Sequence, residues 1–209
     1  MLNIIGKKIL LNKSEVLFDK PFSMQSLKED WDIASGEWWI DNGWLNGRIR
    51  ENKGGMIYSR NNYTGDIMLD FYGRIMPPCT NDLNVTWHAQ GWDFKNDDAG
   101  IGYITGIMGW WSGKTGIEKY PSCNIQAATS LLNFKSGRIY HIQAGIIQGQ
   151  SFLFVNNKLI IELKDPNPIN SEFYGKVGFG TFCSFIQIRD FKLYCPTAED
   201  VYLQYVPQF

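Results

Sequence analysis

The sequence is poor in residues and patterns that identify several common protein classes. It has only two histidines and four cysteines, and no two cysteines form a C-x-x-C pair. A zinc site or a small disulfide-linked domain is therefore not indicated, and reduced, mostly buried thiols are expected. We predict no bound metal and no cofactor.

An excess of charge of either sign is also missing. The chain has 20 basic and 21 acidic side chains, which give a net charge of −1 and are mixed along the sequence. No long-range field favours a phosphate backbone or an anionic membrane, so nucleic acid and membranes are not expected as partners. The apolar stretch Met1–Leu11 is interrupted by lysines and too short for a secretion signal or membrane span, so we expect a cytoplasmic protein.

Long helical periodicity is absent, and short runs of β-branched and aromatic residues recur instead. Gly, Asn, Asp and Pro separate these runs, a pattern typical of an antiparallel β-sandwich. The length of 209 residues fits one large all-β unit, and no repeat, low-complexity segment or linker divides it. We predict a single domain over residues 1–209.

Local patterns predict where strands turn or become irregular. Asn42-Gly43 lies between two aromatic runs and predicts a hairpin, because such tight turns need positive φ. Gly106 and Gly109 predict a close backbone approach or a bulge in their strand, and a shift of the apolar phase predicts a bulge near Arg189-Asp190. The S-x-x-E spacing of Ser26–Glu29 predicts a capped single helical turn.

Several segments together resemble one family of bacterial proteins. The distinctive stretch is Gly109-Trp110-Trp111-Ser112-Gly113-Lys114, followed by Gly116-Ile117-Glu118-Lys119. Segments that contribute further to the likeness are Asp30-Trp31 with Gly36-Glu37-Trp38 and Asn42-Gly43-Trp44-Leu45, then 81–87, 137–142, 165–169, and Val177-Gly178-Phe179 with Cys183-Ser184. Over most of its length the chain is similar to the YesU-like family.

This resemblance implies a fold and a setting. The fold is an all-β, two-sheet antiparallel jelly-roll sandwich of the concanavalin-A-like lectin and glucanase type, also called galectin-like. The setting is bacterial and intracellular, among proteins that act on imported oligosaccharides from pectic polysaccharides such as rhamnogalacturonan. The family has no established activity, and the resemblance supplies no catalytic residues.

Two well-known chemistries of sandwich proteins do not transfer to this chain. The carboxylate triplet E-x-D-x-x-E of retaining glucanases is absent, and the galectin pattern of His, Asn, Arg and Trp is not recognisable. Asn84, Thr86 and His88 instead alternate with apolar residues and are expected to project together from one sheet face. His88 could act as a general acid or base near neutral pH, and a surface or hydrogen-bonded histidine is the equal alternative.

Tryptophans supply candidate platforms for sugar rings. Trp110 and Trp111 are consecutive, so a strand would direct one ring to the core and the other outward, with core packing of both rings as the alternative. Trp92 precedes the acidic Asp97-Asp98 loop and is a further candidate, with an exposed lid residue as the alternative. The two aspartates alone are weak evidence for calcium, because no oxygen cluster surrounds them in sequence.

The segment after Trp110 and Trp111 contains an acid, a base and a phenol in adjacent positions: Glu118, Lys119 and Tyr120. On a uronate substrate, Tyr120 or His88 could abstract the α-proton while Lys119 or Asn84 neutralises the carboxylate. A solvated turn with a Glu118–Lys119 pair is the alternative. The predicted catalytic residues are His88, Glu118 and Tyr120, and the predicted substrate-binding residues are Asn84, Trp92, Trp110, Trp111, Lys114 and Lys119.

Three functions remain open from the sequence. The first is a carbohydrate-active protein, a lyase, hydrolase or isomerase, that acts on pectic oligosaccharides. The second is a lectin-like module that binds the same sugars without chemistry. The third is a structural homodimer, because the tail Val201–Phe209 is apolar enough to pack on the domain or on a second copy.

Overall fold

The protein is described by a computed structural model that defines residues 2–50, 53–110 and 113–201, with the backbone alone at Trp110. These residues form twenty β-strands, one α-helix and one short 3₁₀ helix. The first elements are β1 (Leu2–Ile4), β2 (Lys7–Ile9), the 3₁₀ helix (Leu11–Lys13), β3 (Glu15–Phe18), α1 (Met24–Asp30), β4 (Trp31–Ser35), β5 (Glu37–Asp41), β6 (Trp44–Arg48), β7 (Gly54–Ser59), β8 (Ile67–Ile75) and β9 (Leu83–Ala89). The others are β10 (Trp92–Asp93), β11 (Asp98–Ala99), β12 (Gly102–Trp110), β13 (Lys114–Tyr120), β14 (Gln126–Thr129), β15 (Tyr140–Ile147), β16 (Gln150–Val155), β17 (Lys158–Lys164), β18 (Lys176–Phe182), β19 (Phe185–Cys195) and β20 (Ala198–Asp200).

Two antiparallel sheets contain most of these strands. The seven-stranded sheet has the order β14-β13-β12-β9-β18-β7-β4. The eight-stranded sheet has the order β17-β16-β15-β8-β19-β6-β5, with β3 paired to β19 as its eighth strand. The predicted two-sheet antiparallel sandwich is confirmed.

The main hydrophobic core lies between the two sheets. On β9, Leu83, Val85 and Trp87 are fully buried, and across the core Phe71 meets Phe179 edge-on with 5.1 Å between ring centroids. Alternate residues of a strand point to opposite faces, so the apolar alternation of the sequence becomes this core. Burial of each large apolar side chain contributes roughly 1.5–3 kcal/mol, which makes the core the main source of stability.

The predicted turn and both predicted bulges are present. Asp41 pairs with Trp44 across the Asn42-Gly43 turn, whose two residues have φ of 49° and 76°. The pairing of β12 with β13 shifts register between Gly106 and Trp110, and the pairing of β19 with β8 shifts between Arg189 and Lys192. The hairpin turn and the two bulges are therefore confirmed.

The helical segment is longer than predicted and begins earlier. The α1 helix spans Met24–Asp30, and its cap is Ser23, whose hydroxyl oxygen accepts from the Ser26 backbone N–H at 3.0 Å. The Ser26 hydroxyl accepts in return from the Ser23 backbone N–H at 2.9 Å. Ser26 is therefore the third helical residue of a capping box, and the prediction that it opens the helix was wrong.

A third, small sheet covers part of the outer face of the eight-stranded sheet. Its order is β1-β2-β20, and it joins the chain's first described strand to its last. Apolar residues of this small sheet and outward-facing residues of the larger sheet form a second buried cluster. The small sheet contributes Leu2, Ile4 and Ile9, and the larger sheet contributes Met68, Phe152 and Phe154. These outward-facing residues are thus withdrawn from water.

Cys79, Cys123 and Cys195 are free thiols. Cys79, Cys123 and Cys195 are half-buried and Cys183 is exposed. The expectation of mostly buried thiols was therefore wrong.

Candidate functional site

The largest group of predicted site residues lies in a cleft of about 420 Å³ on the outer face of the seven-stranded sheet. We call it the outer-face cleft. Its lining includes the polar residues Asp82, Asn84, Asp98, Glu118 and Tyr120 and the apolar residues Met56, Trp92, Ile104 and Phe182.

Strand register explains why a depression forms here. One row of cross-strand neighbours contains Met56, Gly180, Asn84, Gly106 and Gly116, on five successive strands. Three of the five positions have no side chain: Gly180 lies between Met56 and Asn84, and Gly106 and Gly116 lie beyond Asn84, so the sheet surface is low on both sides of this asparagine. A Cβ atom at Gly180 would lie 2.2 Å from Met56 Sδ, so only glycine leaves room for this methionine to lie across the row.

Asp82 lies at one end of the cleft and is 7% exposed. Its Oδ2 atom accepts from Asn84 Nδ2 at 3.0 Å, whereas its Oδ1 atom is buried without a partner among the described residues. A Cβ atom at Gly109 would lie 1.8 Å from Oδ1, so this carboxyl group lies directly against the glycine backbone. Burial raises the pKa of Asp82 to about 6, and the donation from Asn84 opposes that rise.

Glu118 lies on β13 opposite Ile104, and the residue is 7% exposed. One carboxylate oxygen, Oε2, accepts from the Cys123 thiol at 3.0 Å. Burial raises the pKa of Glu118, and burial together with this acceptor raises the pKa of the Cys123 thiol to about 11. The thiol is therefore protonated at neutral pH and remains a hydrogen-bond donor to the glutamate.

A short hairpin of β10 and β11 forms the wall next to Tyr120. The Tyr120 hydroxyl donates to Asp98, and Trp92 Nε1 donates to Asp97 at 3.3 Å. The Trp92 ring packs against a small cluster that includes Met56 and Tyr58. Burial, and next the hydrogen bond to Asp98, raise the pKa of Tyr120, so its hydroxyl stays protonated and serves as a donor.

The structure thus brings four predicted residues together: Asn84, Trp92, Glu118 and Tyr120 all line the cleft. Lys114 is exposed at the start of β13 and is not one of the residues that line the cleft. Trp110 ends β12, and its side chain lies outside the described residues, as does Trp111 altogether.

His88 does not project with Asn84 and Thr86, so that prediction was wrong. In the pairing of β9 with β18, Thr86 lies opposite Gly178 and Ala89 opposite Lys176, which leaves one extra residue in β9. The bulge includes His88, which has a φ of 44°, and it moves Ala89 to the outer face.

His88 is consequently buried, with 5% of its surface exposed. Its Nε2 atom donates to the Gly65 carbonyl at 2.8 Å, and its ring lies 6.3 Å from that of the buried Tyr103. Burial lowers the pKa of His88, so the ring is neutral at pH 7. This is a buried, hydrogen-bonded histidine, the alternative stated for it above.

Lys119 likewise points away from the cleft. Its Nζ atom lies 2.9 Å from Asp165 Oδ2 and donates to the Asn167 carbonyl at 2.5 Å. The same carboxylate accepts from the Tyr103 hydroxyl at 2.6 Å and is almost fully buried. Lys119 therefore compensates a buried charge, and its predicted role as the partner of a substrate carboxylate was wrong.

Two carboxylates of the cleft were not among the predicted site residues. Asp82 precedes Asn84 by two positions, so strand alternation alone could have placed both on one face. Asp98 had been considered only as a calcium ligand. Among the described residues no group of three His, Cys, Asp or Glu side chains is placed to hold a metal ion.

Two further expectations from the sequence concern the apolar tail and membranes. The tail Val201–Phe209 is described only at Val201, so residues 202–209 lie outside the described residues. In the described part of the chain, no helix has the length and apolar character needed to cross a membrane.

Comparison with solved structures gives many similar folds at low sequence identity. A galectin-like protein of unknown function from Bacillus subtilis matches with a TM-score of 0.62 and 13% identity over 88% of this chain and 99% of its own. The carbohydrate-binding module CBM66 from Bacillus subtilis matches with a TM-score of 0.60 and 13% identity over 79% and 95%. A prokaryotic β-1,3-1,4-glucanase (lichenase) from a mouse hindgut metagenome matches with a TM-score of 0.59 and 12% identity over 86% and 99%.

These likenesses establish the fold as a galectin-like and lichenase-like jelly-roll sandwich, of the concanavalin-A-like type expected above. No family model matches the chain. No curated protein matches it either.

Proposed function

We propose that the protein binds an oligosaccharide in the outer-face cleft. The observation that supports this most is the combination of rings and hydrogen-bonding groups in one depression: Trp92 and Tyr120 on one side, with Asn84, Asp82 and Glu118 beside them. Sugars present flat apolar ring faces and many hydroxyls, which aromatic rings and carboxylate or amide groups recognise.

The fold adds weight to this proposal. Solved structures with the same sandwich include a carbohydrate-binding module and a glucanase. The resemblance to the YesU-like family supports a narrower version, in which the oligosaccharides derive from pectic polysaccharides such as rhamnogalacturonan and the protein is intracellular.

The test is a titration of plant cell-wall oligosaccharides by isothermal calorimetry against matched tryptophan variants. Trp92→Ala is expected to weaken binding by about fivefold to thirtyfold, since a stacking ring contributes roughly 1–2 kcal/mol. Trp44→Ala is the control, because Trp44 lies on the other sheet between Arg74 and Arg189. Equal loss in both variants, or no binding to any oligosaccharide, would contradict the proposal.

A second candidate is catalysis in the same cleft, supported by the raised pKa of Glu118 and of Asp82. A carboxyl group that stays protonated closer to neutral pH can protonate a leaving oxygen as a general acid. His88 cannot assist, because it lies in the core. Product mass and ultraviolet absorbance after incubation with neutral galacto-oligosaccharides, and separately with saturated and unsaturated rhamnogalacturonan oligosaccharides, test turnover, and Glu118→Gln should abolish turnover while binding persists.

A further inference from the structure

The outer-face cleft has an unusual balance of charge. Three of its described lining residues, Asp82, Asp98 and Glu118, are acidic, and none is Lys, Arg or His. The lysine adjacent to Glu118 in sequence is not available, because Lys119 is held by Asp165 and by the Asn167 carbonyl.

Each of the three carboxyl groups accepts hydrogen bonds from neutral donors. Asp82 accepts from the Asn84 amide, Glu118 from the Cys123 thiol, and Asp98 from the Tyr120 hydroxyl. No ion pair with a described residue involves any of them. Among the described residues, their negative charge is therefore held by dipoles, and no described cation is paired with it.

Asp82 adds a buried carboxyl group whose Oδ1 atom packs against the Gly109 backbone. Its side chain is more than nine-tenths buried, and Oδ1 has no donor among the described residues. Asp82 and Asn84 together form one polar end of the cleft, with Trp92 and Tyr120 providing rings elsewhere in the same depression. A ligand that brings hydroxyl donors and a ring face would match this surface.

From these contacts we infer that the cleft selects uncharged sugars and excludes uronates and other anionic glycans. The inference rests on the proposed function and specifies its ligand class. Carboxylates accept hydrogen bonds from sugar hydroxyls, and such charge-assisted bonds are stronger than neutral ones. A uronate would instead bring its own negative charge close to three others in a cleft partly shielded from water, where like charges repel strongly. Among pectic fragments, those built from neutral sugars are the ones that fit.

The experiment compares neutral galacto- and xylo-oligosaccharides with oligogalacturonides of equal chain length at pH 7.5 and low salt. The neutral series is expected to bind at least about tenfold more tightly. Added salt should reduce the difference, because screening weakens the repulsion. Tighter binding of the oligogalacturonides overturns this inference and leaves the proposed function intact, whereas absence of binding in both series overturns both.

Charge-neutral variants sharpen the test. Asp98→Asn and Glu118→Gln should strengthen binding of oligogalacturonides severalfold and weaken binding of neutral oligosaccharides, an opposite response that a folding defect would not produce. Asp98 is exposed and should tolerate the change, so it keeps the test valid if the buried Glu118 does not. Glu172→Gln, at an exposed glutamate away from the cleft, is the control and should change neither series. Parallel weakening of both series by Asp98→Asn overturns the inference.

Discussion

Replacing Asp82 by asparagine is expected to change how the stability of the protein depends on pH. The carboxyl group is buried, and its pKa is raised from 3.8 to about 6 by that burial, with the donation from Asn84 acting in the opposite direction. The folded protein therefore binds this proton more tightly than the unfolded chain does. An amide at the same position has a similar shape and no proton to lose.

The sign and size follow from linkage between protonation and folding. Because the folded pKa lies above the unfolded value, the stabilising contribution of Asp82 is complete below about pH 4 and is lost as the pH rises through about 6. At about 1.4 kcal/mol per pKa unit, the shift corresponds to about 3 kcal/mol. Above neutral pH the wild-type protein is destabilised by this amount, and Asp82→Asn is not.

Urea unfolding of both proteins between about pH 4 and pH 8 measures the effect. The asparagine also places a donor where Oδ1 lies against Gly109, which adds a cost that is the same at every pH. All other titratable groups are shared by the two proteins, so their contributions cancel when the two free energies of unfolding are subtracted. As the pH rises from about 4 to 8, the free energy of unfolding of the variant should therefore increase by about 3 kcal/mol relative to wild type. A difference that stays flat with pH refutes the burial argument, and a carbon NMR titration of the Asp82 carboxyl checks its pKa directly.

Three other substitutions test the geometry of the cleft and its surroundings. Gly109→Ala places a carbon 1.8 Å from a carboxylate oxygen and should cost about 1–3 kcal/mol in thermal unfolding, whereas Gly54→Ala, with no heavy atom within 4 Å, should cost little. Lys119→Met leaves buried Asp165 without its cation and should lower the free energy of unfolding by about 3 kcal/mol, with ligand affinity unchanged in calorimetry. Tyr120→Phe removes a hydroxyl donor from the cleft wall and should weaken oligosaccharide binding severalfold while thermal stability changes by less than about 1 kcal/mol.

Much of the fold could be predicted because its determinants are local in sequence. The alternation of Leu83, Val85 and Trp87 needs only neighbouring residues to indicate a strand with one buried face. The Asn42-Gly43 turn is equally local, since its positive φ angles are a property of the two residues themselves. The helix start was misplaced because Ser23 and Ser26 can both cap, and Ser26 instead completes the capping box from within the helix.

The candidate site could be predicted only where strands stay regular. Glu118 and Tyr120 share a face by alternation, and the structure keeps them together. The prediction that His88 faces the cleft was wrong because an extra residue in β9 reverses the alternation after Trp87. No glycine or proline within the bulge marks it in the sequence. The prediction that Lys119 binds a substrate carboxylate was wrong because its partner, Asp165, belongs to a segment distant in sequence that only folding brings near.

The chemistry of the cleft therefore depends on places where the sheet departs from a regular ladder. The bulge in β9 removes His88 from the outer face and presents Ala89 there, beside Met56 and Tyr58. The register shift in β12 follows Gly106 and includes Gly109, whose missing side chain is what allows the Asp82 carboxyl group to approach the backbone. With His88 turned inward and Lys119 paired with Asp165, the described lining of the cleft presents acidic and aromatic groups. The selectivity proposed above, for hydroxyl-rich, uncharged molecules over anions, follows from that composition.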